Sequence, residues 1–299
     1  MMGKKVSIVL PVYNGANYVA AAIESVIAQT YQNWELIVVN DCSTDNTLQI
    51  CQSLAKKDKR IKVFSNEQNL KLPNSLNAGF ALGTGAYYTW TSHDNLYKQQ
   101  AIEVLVKALQ EDQTTVMVYG DFIRIDAEGN IISEETLKEP KYLVTGNTCG
   151  AYFMYTAEAA KRVGKYDADL FLAEDYDYWV RMYQCGEIKH IPDNLYLYRT
   201  HPNSLTETRL MTILEMTYQV MKKNFSTLYM IAKNNHLQRE FFDAMISLSD
   251  GHREEVKDLF TAVNKKYVFW FMKAEVKRKV KRKSWFCLLN SIRKGIIGK

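Results

Sequence analysis

The sequence predicts an α/β fold, in which a doubly wound, Rossmann-type mixed sheet is flanked by helices and followed by an α-helical C-terminal extension. Three observations lead to this prediction. Strand and helix patterns alternate through the first hundred residues, as in successive βαβ units. Polar loops that contain acidic residues follow the second and fourth predicted strands. From Leu210 onward the chain has no proline, and no glycine before Gly251, which is typical of helical segments.

The predicted strands of the first half are short, β-branched runs of the kind that a buried parallel sheet requires. They cover residues 6–10, 36–39, 61–64, 86–90 and 116–119. A first helix over 16–30 is indicated by apolar residues at helical spacing, namely Val19, Ile23, Val26 and Ile27. Further helices are predicted over 75–82, where Gly83 and Gly85 end the pattern, and over 101–109.

The second half departs from strict alternation, which marks a change to mixed topology. A hairpin is predicted through residues 127–130, a helix over 174–186, and short strands near 188 and over 195–198. We therefore predict a large α/β domain over residues 1–207 and a helical extension over 208–299.

The composition limits the class of protein. With 299 residues, 47% of them hydrophobic, the chain can form one large domain and a smaller appendage. Its five cysteines are scattered without a C-x-x-C pair, which favours a reducing, cytoplasmic compartment over disulfides or zinc. The apolar run at 6–12 contains Pro11 and no cleavage site, so we interpret it as a strand. No run approaches the roughly 18 apolar residues of a spanning helix, so we expect a soluble or peripheral protein.

The positive charge is concentrated at the C-terminus. The formal net charge is +5, yet residues 273–299 contain ten Lys or Arg against one acid, Glu275. Apolar residues recur there at helical spacing: Trp285, Leu288, Leu289, Ile292 and Ile296. A cationic amphipathic helix can lie in an anionic membrane interface, so we predict a peripheral position on the inner face of the cell membrane. A helix packed on the first domain is the alternative, and nucleic-acid binding is a weaker one that we do not predict.

Two acidic loops provide the first candidates for a ligand site. They are residues 40–45, after the second strand, and residues 91–95, after the fourth. In open parallel sheets ligands bind beyond the carboxyl ends of the strands, where both loops are expected. Asp41 can accept hydrogen bonds from a nucleobase, and Asp94 can hold a hard cation that bridges diphosphate oxygens. Together they outline a site for a nucleoside diphosphate.

These loops belong to longer motifs that together resemble glycosyltransferase family 2. The motifs are VSIVLPVYN at 6–14, SVIAQ at 25–29, ELIVVNDCSTDNT at 35–47, AED at 173–175 and YRTH at 198–201. The resemblance covers about residues 4–205 and implies a GT-A fold with an inverting, nucleotide-sugar-dependent activity. It also implies a UDP-sugar donor, Mn²⁺ or Mg²⁺, and a glycan or lipid-linked acceptor in cell-surface polysaccharide or glycolipid assembly.

The resemblance implies roles for individual residues as well. Asp175 would be the catalytic base, Glu174 its neighbour at the acceptor site, and Asp94 the metal ligand. The donor nucleobase would contact Pro11, Tyr13 and Asp41. Beyond what the resemblance implies, Lys71, His93, Arg199 and His201 are candidates for contacts with the diphosphate or metal, and His93 fits a polar loop residue as well. The sequence departs from the family pattern twice. Asn40 replaces the first aspartate of an acidic pair, and residues 92–94 keep only the last carboxylate of the metal motif.

Other interpretations of these residues and of the function stay open. Asp45 is interpreted as a helix cap, and Glu174 fits a first-turn acid as well as it fits an acceptor-site residue. The missing carboxylate leaves a catalytically silent sugar-nucleotide-binding or scaffold protein as the alternative. A pyrophosphorylase is disfavoured because the sequence lacks a glycine- and arginine-rich N-terminal phosphate loop. An NAD dehydrogenase is disfavoured because no G-x-G-x-x-G follows the first strand.

Overall fold

The computed structural model describes residues 3–248, 251–263 and 272. The strands are β1 (Val6–Val12), β2 (Trp34–Asn40), β3 (Ile61–Ser65), β4 (Tyr87–Trp90), β5 (Leu96–Tyr97), β6 (Thr115–Gly120), β7 (Phe122–Ile125), β8 (Ile131–Glu135), β9 (Phe153–Thr156), β10 (Glu187–Ile191) and β11 (Tyr196–Arg199). The helices are α1 (Val19–Ile27), α2 (Thr47–Lys57), α3 (Lys71–Ala81), α4 (Ala101–Glu111), α5 (Ala157–Val163), α6 (Glu174–Met182), α7 (Leu205–Thr208), α8 (Leu210–Lys223), α9 (Phe225–Asn234), α10 (Gln238–Leu248) and α11 (Arg253–Val263). Two 3-10 turns cover Pro140–Thr145 and Ala168–Leu170.

Seven strands form the central sheet, in the order β10-β6-β9-β4-β1-β2-β3. Neighbouring strands are parallel except at β9, which runs antiparallel to both β4 and β6. A second sheet has the order β5-β11-β7-β8, and the predicted hairpin through 127–130 joins β7 to β8. The predicted α/β fold with a mixed sheet is confirmed, and the loss of regular alternation after residue 116 corresponds to the insertion of β9.

The parallel centre of the sheet is covered on both faces, which explains its unbroken apolar sequence. Every residue of β1 and β2 is buried. Alternate residues of β1, such as Ile8 and Leu10, belong to the core that includes α1, α2 and α4. Val9 faces the opposite way, toward α3, where a Cβ added to Gly79 would lie 2.4 Å from its Cγ1. A glycine is therefore required for α3 to pack this closely on β1.

Several helix ends differ from the predicted ones, for local reasons. α1 is shorter than the predicted 16–30 because the chain turns after Gly15, and Thr30 instead donates its amide to the Gln99 carbonyl at 2.8 Å. α3 begins at Lys71, four residues before the predicted start, and contains Pro73 in its first turn. Proline is tolerated there because the first amides of a helix have no intrahelical partner.

A buried carboxylate ties together the edge of the sheet where β1 and β2 begin. Glu35 is 2% exposed, and its Oε1 accepts hydrogen bonds from Ser7 Oγ at 2.8 Å and the Thr84 amide at 2.7 Å. Its Oε2 pairs with Lys5 at 2.9 Å and Lys62 at 3.1 Å. Burial alone would raise the pKa of Glu35, but the bonds from Thr84, Lys5 and Ser7 lower it to about 2. The side chain therefore stays ionised inside the protein.

The described chain divides into two compact units, of which the first ends at Gln238 and the second begins at Arg239. Within the first unit α8 contacts α6, and α9 contacts the Pro140–Thr145 turn. The boundary predicted near residue 207 thus does not coincide with a break in packing, because α8 and α9 contact elements that precede it. Among the described residues, no helix combines the length and apolarity needed to cross a membrane. The predicted tail over 268–299 lies outside the described residues, apart from Met272.

Candidate active site

The loop after β2 places Asp41 against the start of α3. Asp41 is 3% exposed, and its Oδ1 accepts hydrogen bonds from the Asn66 side chain at 2.7 Å and the Leu70 amide at 2.8 Å. Its Oδ2 accepts from the Lys71 amide at 2.9 Å. The carboxylate thus complements free amides at a helix N-terminus. Since Oδ2 accepts one hydrogen bond within the described chain, it retains capacity for a ligand N–H.

Three other predicted nucleotide contacts, Pro11, Tyr13 and Lys71, lie on the segments next to Asp41. Pro11 is buried in β1 opposite Val39, whereas the Tyr13 side chain is 46% exposed. Lys71 is exposed and has a positive φ of 67°, which is unfavourable for a residue with a side chain. The hydrogen bond that the Lys71 backbone amide donates to Asp41 holds that conformation. An aromatic ring and an ammonium group are therefore accessible near this carboxylate.

The loop after β4 brings Asp94 together with His201. Asp94 Oδ2 lies 3.0 Å from His201 Nε2, and about a tenth of each side chain is exposed. The other carboxylate oxygen, Oδ1, is buried without a hydrogen-bond partner among the described residues. A buried carboxylate oxygen is costly when nothing binds it. The pair therefore fits a divalent cation, for which Oδ1 is a suitable hard ligand.

The candidate cation site at Asp94 is sparse in protein ligands. Within residues 3–248 and 251–263, no three His, Cys, Asp or Glu side chains converge as a group that could hold a metal ion. A cation at Asp94 would therefore need ligands from a bound diphosphate and water, as Mg²⁺ commonly does when it uses one or two protein carboxylates. This agrees with the single carboxylate that residues 92–94 retain.

His93 packs against the loop that follows β1. A Cβ at Gly15 would lie 2.4 Å from Cδ2 of His93, so the ring occupies the space that a side chain at position 15 would need. Burial lowers the pKa of His93, and this outweighs the opposing charge of Asp94. The imidazole is consequently neutral at neutral pH, where it can act as a hydrogen-bonding group rather than as a cation.

Arg199 is committed to the backbone around Asp94. It is 7% exposed, and its Nε donates to the Asp94 carbonyl at 2.9 Å. Its Nη1 donates to the carbonyls of Asp126 and Ala127 at 3.0 and 2.9 Å. Arg199 thereby fixes the loop that carries the predicted metal ligand. Its predicted contact with the diphosphate stays a prediction.

Tyr18 is a site residue that the sequence analysis missed. Its ring lies 4.9 Å from the Arg199 guanidinium and 5.1 Å from the His201 ring. From the segment before α1 it therefore supports two residues of the YRTH motif, Arg199 and His201. An aromatic residue just ahead of a helix was visible in the sequence, but nothing local indicated its distant partners.

Asp175 lies in the first turn of α6 and is partly exposed. Its Oδ1 accepts a hydrogen bond from the Tyr176 amide at 2.7 Å, and its Oδ2 accepts from the Asn147 side chain, also at 2.7 Å. Burial raises the pKa of Asp175, while these two hydrogen bonds act in the opposite direction. An accessible carboxylate that binds a proton more readily than usual suits general-base catalysis.

Glu174 is buried and supports the backbone ahead of α6. It is 3% exposed, and its Oε2 accepts a hydrogen bond from the Leu172 amide at 2.7 Å. Leu172 has a positive φ of 82°, a conformation that needs such support. Burial and the charge of Asp175 both raise the pKa of Glu174. These contacts favour a role for Glu174 in placing Asp175.

Asp177 is a fully buried acid that the sequence analysis did not single out. Its Oδ2 accepts a hydrogen bond from Arg181 Nε at 2.8 Å, and its Oδ1 binds Lys223 Nζ and Asn224 Nδ2, both at 2.9 Å. This group fastens α6 to the junction of α8 and α9. The i,i+4 spacing of Asp177 and Arg181 was a visible signal, whereas Lys223 and Asn224 carry no local sign of this contact.

The predicted base and the predicted metal ligand lie around one tyrosine. Burial raises the pKa of Tyr198, and the charges of Asp94 and Asp175 add to that increase. The Tyr198 hydroxyl lies 2.9 Å from Thr206 Oγ1. The structure therefore brings Asp94 and Asp175 within electrostatic range of the same phenol, while Asp41 and Lys71 form a separate group at the start of α3.

Comparison with known sequences identifies related proteins. Residues 7–164 match the family described as Glycosyl transferase family 2. The chain is 34% identical over 217 residues to an uncharacterized glycosyltransferase of Haemophilus influenzae, covering 66% of each protein. It is 37% identical over 194 residues to a glycosyltransferase of Rickettsia conorii, covering 61% of this chain and 32% of that protein. The chain thus matches between about a third and two thirds of the length of these relatives.

Comparison with solved structures gives the same fold. S. aureus TarS 1–349 superposes with a TM-score of 0.67 at 19% identity, covering 88% of this chain and 82% of that chain. The same protein in complex with UDP-GlcNAc has a TM-score of 0.59 at 17% identity, with 85% and 83% covered. A Pyrobaculum calidifontis mannosyltransferase with GDP-Man and Mn²⁺ has a TM-score of 0.60 at 14% identity, with 95% and 83% covered. At these identities the likeness establishes a shared GT-A fold.

Proposed function

The chain belongs to glycosyltransferase family 2, and from that membership we propose that it moves a sugar from a nucleoside-diphosphate donor to an acceptor hydroxyl with inversion at the anomeric carbon. The proposed donor is a UDP-sugar. The proposed acceptor is a glycan or a lipid-linked glycan, in the assembly of cell-surface polysaccharide or glycolipid. The observation that carries this proposal is Asp175, a partly exposed carboxylate in the first turn of α6 that hydrogen bonds from the Tyr176 amide and the Asn147 side chain hold in place.

The donor nucleotide is proposed to bind along the loops after β1, β2 and β4. Asp41 has capacity left on Oδ2 for the single imide N–H of uracil, since its other contacts go to Asn66, Leu70 and Lys71. The other proposed donor contacts are Pro11 and Tyr13 at the nucleobase, and Lys71, His93, His201 and Arg199 on the diphosphate side, with Arg199 acting through its hold on the Asp94 loop.

A divalent cation is proposed at Asp94, with His201 as its neighbour. Mn²⁺ or Mg²⁺ bound there would neutralise the negative charge that develops on the departing nucleoside diphosphate. This proposal is supported by the unpartnered Oδ1 of Asp94, which is oriented by the hydrogen bond of Oδ2 to His201. Arg199 holds the same loop through the Asp94 carbonyl.

The proton transfer is assigned to Asp175. Its carboxylate takes the proton of the acceptor hydroxyl as the oxygen attacks the anomeric carbon of the sugar. A new bond forms between that oxygen and the anomeric carbon, the bond to the diphosphate oxygen breaks, and the diphosphate leaves with the electron pair. One displacement inverts the anomeric centre. Glu174 contributes by holding the Leu172 amide next to this site.

A peripheral position on the inner face of the cell membrane is part of the proposal. It rests on the ten Lys or Arg in residues 273–299, together with apolar residues at helical spacing in the same segment. Such a position would bring the catalytic domain close to lipid-linked acceptors.

A screen of the purified chain against nucleotide sugars tests the proposal. UDP-glucose, UDP-galactose, UDP-GlcNAc and GDP-mannose would each be assayed for hydrolysis and for thermal stabilisation, with and without Mn²⁺. We expect one UDP-sugar both to stabilise the protein and to be hydrolysed. Stabilisation without any turnover would instead support the alternative, a silent sugar-nucleotide-binding or scaffold protein, which the reduced metal motif suggests.

A further inference from the structure

An asparagine on the loop before β9 holds the predicted base. The Nδ2 atom of Asn147 donates a hydrogen bond to Asp175 Oδ2 at 2.7 Å, from a position 28 residues earlier in the chain. Building on the function proposed above, we propose that Asn147 is a positioning residue for the reaction: it orients the Asp175 carboxylate and keeps it ionised to accept a proton.

The amide of Asn147 is itself fixed in one orientation. Its Oδ1 accepts a hydrogen bond from the Cys149 amide at 3.2 Å, which leaves Nδ2 as the group that faces Asp175. Cys149 is fully buried, so this anchor belongs to the core. On the other side, the Tyr176 amide holds Oδ1 of Asp175 at 2.7 Å. The carboxylate therefore cannot rotate about its Cβ–Cγ bond without losing a hydrogen bond.

The contact also favours one protonation state. An amide N–H stabilises a carboxylate anion, whereas burial favours the protonated acid and raises the pKa of Asp175. Four titratable neighbours interact electrostatically with Asp175 from the elements around it: Glu174, Cys149, Tyr166 and Tyr198. The pKa of each is raised, so the thiol and the phenols stay neutral at neutral pH, and the raised pKa of Glu174 favours its protonated, neutral form there. Asn147 thus supplies stabilisation of the anion that these four groups do not.

The experiment is a pH profile of donor hydrolysis by the full chain carrying Asn147→Ala or the isosteric Asn147→Asp. The assay follows release of the nucleoside diphosphate from the nucleotide sugar that the wild type hydrolyses, with water as acceptor. We expect the acid limb of kcat to move about one pH unit higher in Asn147→Ala, the effect expected of one lost hydrogen bond to a charged group. It should move further in Asn147→Asp, whose carboxylate repels Asp175. Both variants should approach wild-type rates at alkaline pH.

Asn194→Ala is the matched control. Asn194 Nδ2 donates to Glu134 Oε2 at 3.1 Å, an asparagine–carboxylate pair away from Asp175, and this variant should keep the wild-type profile. Glu174→Gln in the same backgrounds removes the second titrating carboxylate while keeping an acceptor for the Leu172 amide. In the Glu174→Gln background, replacing Asn147 should still move the acid limb of the kcat profile to higher pH.

Two results would overturn the role of Asn147: an unchanged pH profile in its variants, or a loss of activity that is equal at every pH, which a merely structural residue would cause. Melting temperatures identify a variant that does not fold. In that event Asn147→Ser, which keeps a short hydroxyl donor, takes its place with a smaller shift expected. A wild type that hydrolyses no nucleotide sugar would reject the proposed function and this inference together. An active wild type with unresponsive Asn147 variants would reject the inference alone.

Discussion

The imidazole Nε2 of His201 lies 3.0 Å from Oδ2 of Asp94, although the two residues are 107 positions apart in the sequence. The contact joins the loop after β4 in the seven-stranded sheet to the loop after β11 in the four-stranded sheet. The proposed cation site therefore takes Asp94 from a loop of one sheet and His201 from a loop of the other. It forms only when the two sheets pack together.

Asp94→Asn should abolish the metal-dependent part of UDP affinity, because it replaces an anionic oxygen with a neutral amide group. Calorimetric titration of UDP, with Mn²⁺ and with EDTA, measures this part in the wild type and the variant. Asp121→Asn is the matched control, since Asp121 is an equally buried acid that pairs with His190 at 2.7 Å. Wild-type protein that keeps full activity in excess chelator would reject the cation.

Asp175→Asn should lower turnover by about 10² to 10⁴ while donor affinity stays nearly constant, since asparagine keeps the shape but cannot take a proton. Because the pKa of Asp175 is raised, wild-type turnover should fall with decreasing pH at a higher pH than for an ordinary aspartate. Steady-state rates and melting temperatures of Asp175→Asn and Glu174→Gln provide the comparison. If Glu174→Gln is inactive and Asp175→Asn is active, the base is Glu174 instead.

Glu35→Gln should destabilise the protein at neutral pH and flatten the acid side of its stability profile. The pKa of Glu35 falls from 4.5 to about 2 on folding. A shift of this size corresponds to a contribution of about 3 kcal/mol to the free energy of unfolding. A lowered pKa gives stability that is present above pH 4.5 and is lost as the pH falls toward 2. Urea unfolding at pH 7 and pH 3 should show a smaller difference from wild type at pH 3. The exposed Glu67→Gln is the control, and equal differences at both pH values would contradict the expectation.

A chain that ends at residue 207 should be much less stable than one that ends at residue 238. The shorter chain lacks Lys223 and Asn224, which are partners of the fully buried Asp177. Removing partners from a buried charge typically costs about 3 to 5 kcal/mol. Thermal melts of the two chains measure the difference. Equal melting temperatures would favour the domain boundary near residue 207 that the sequence predicts.

Residues 268–299 are predicted to bind anionic membranes. Each Lys or Arg near such a surface contributes roughly 1 kcal/mol, and the attraction should weaken with added salt. Flotation with liposomes that contain phosphatidylserine compares the full chain with a chain that ends at residue 267, and neutral liposomes are the control. Equal flotation of both chains would exclude the tail as the anchor.

The sequence carries enough information for the fold and for the loops that hold the predicted carboxylates, but less for what surrounds those carboxylates. Alternating strands and helices are local patterns, and so are the loops that hold Asp41, Asp94 and Asp175. Two hydrogen bonds join distant segments: Asn147 donates to the Asp175 carboxylate, and Arg199 donates to the Asp94 carbonyl. Such contacts follow from tertiary packing, which no short window of sequence contains. For the same reason, the antiparallel insertion of β9 appears in the sequence only as a loss of regularity.

The fastening of α6 to the α8 and α9 junction has a consequence for how the protein is made. Asn224 follows Asp177 by 47 residues, which take roughly 2 to 10 s to add at typical translation rates. During that interval the nascent chain already carries Asp177 and its neighbouring partner Arg181 on the segment of α6, but the partners Lys223 and Asn224 have not been synthesised. The contact that fastens α6 to the α8 and α9 junction is thus completed late on the ribosome, after every described strand of both sheets has been synthesised.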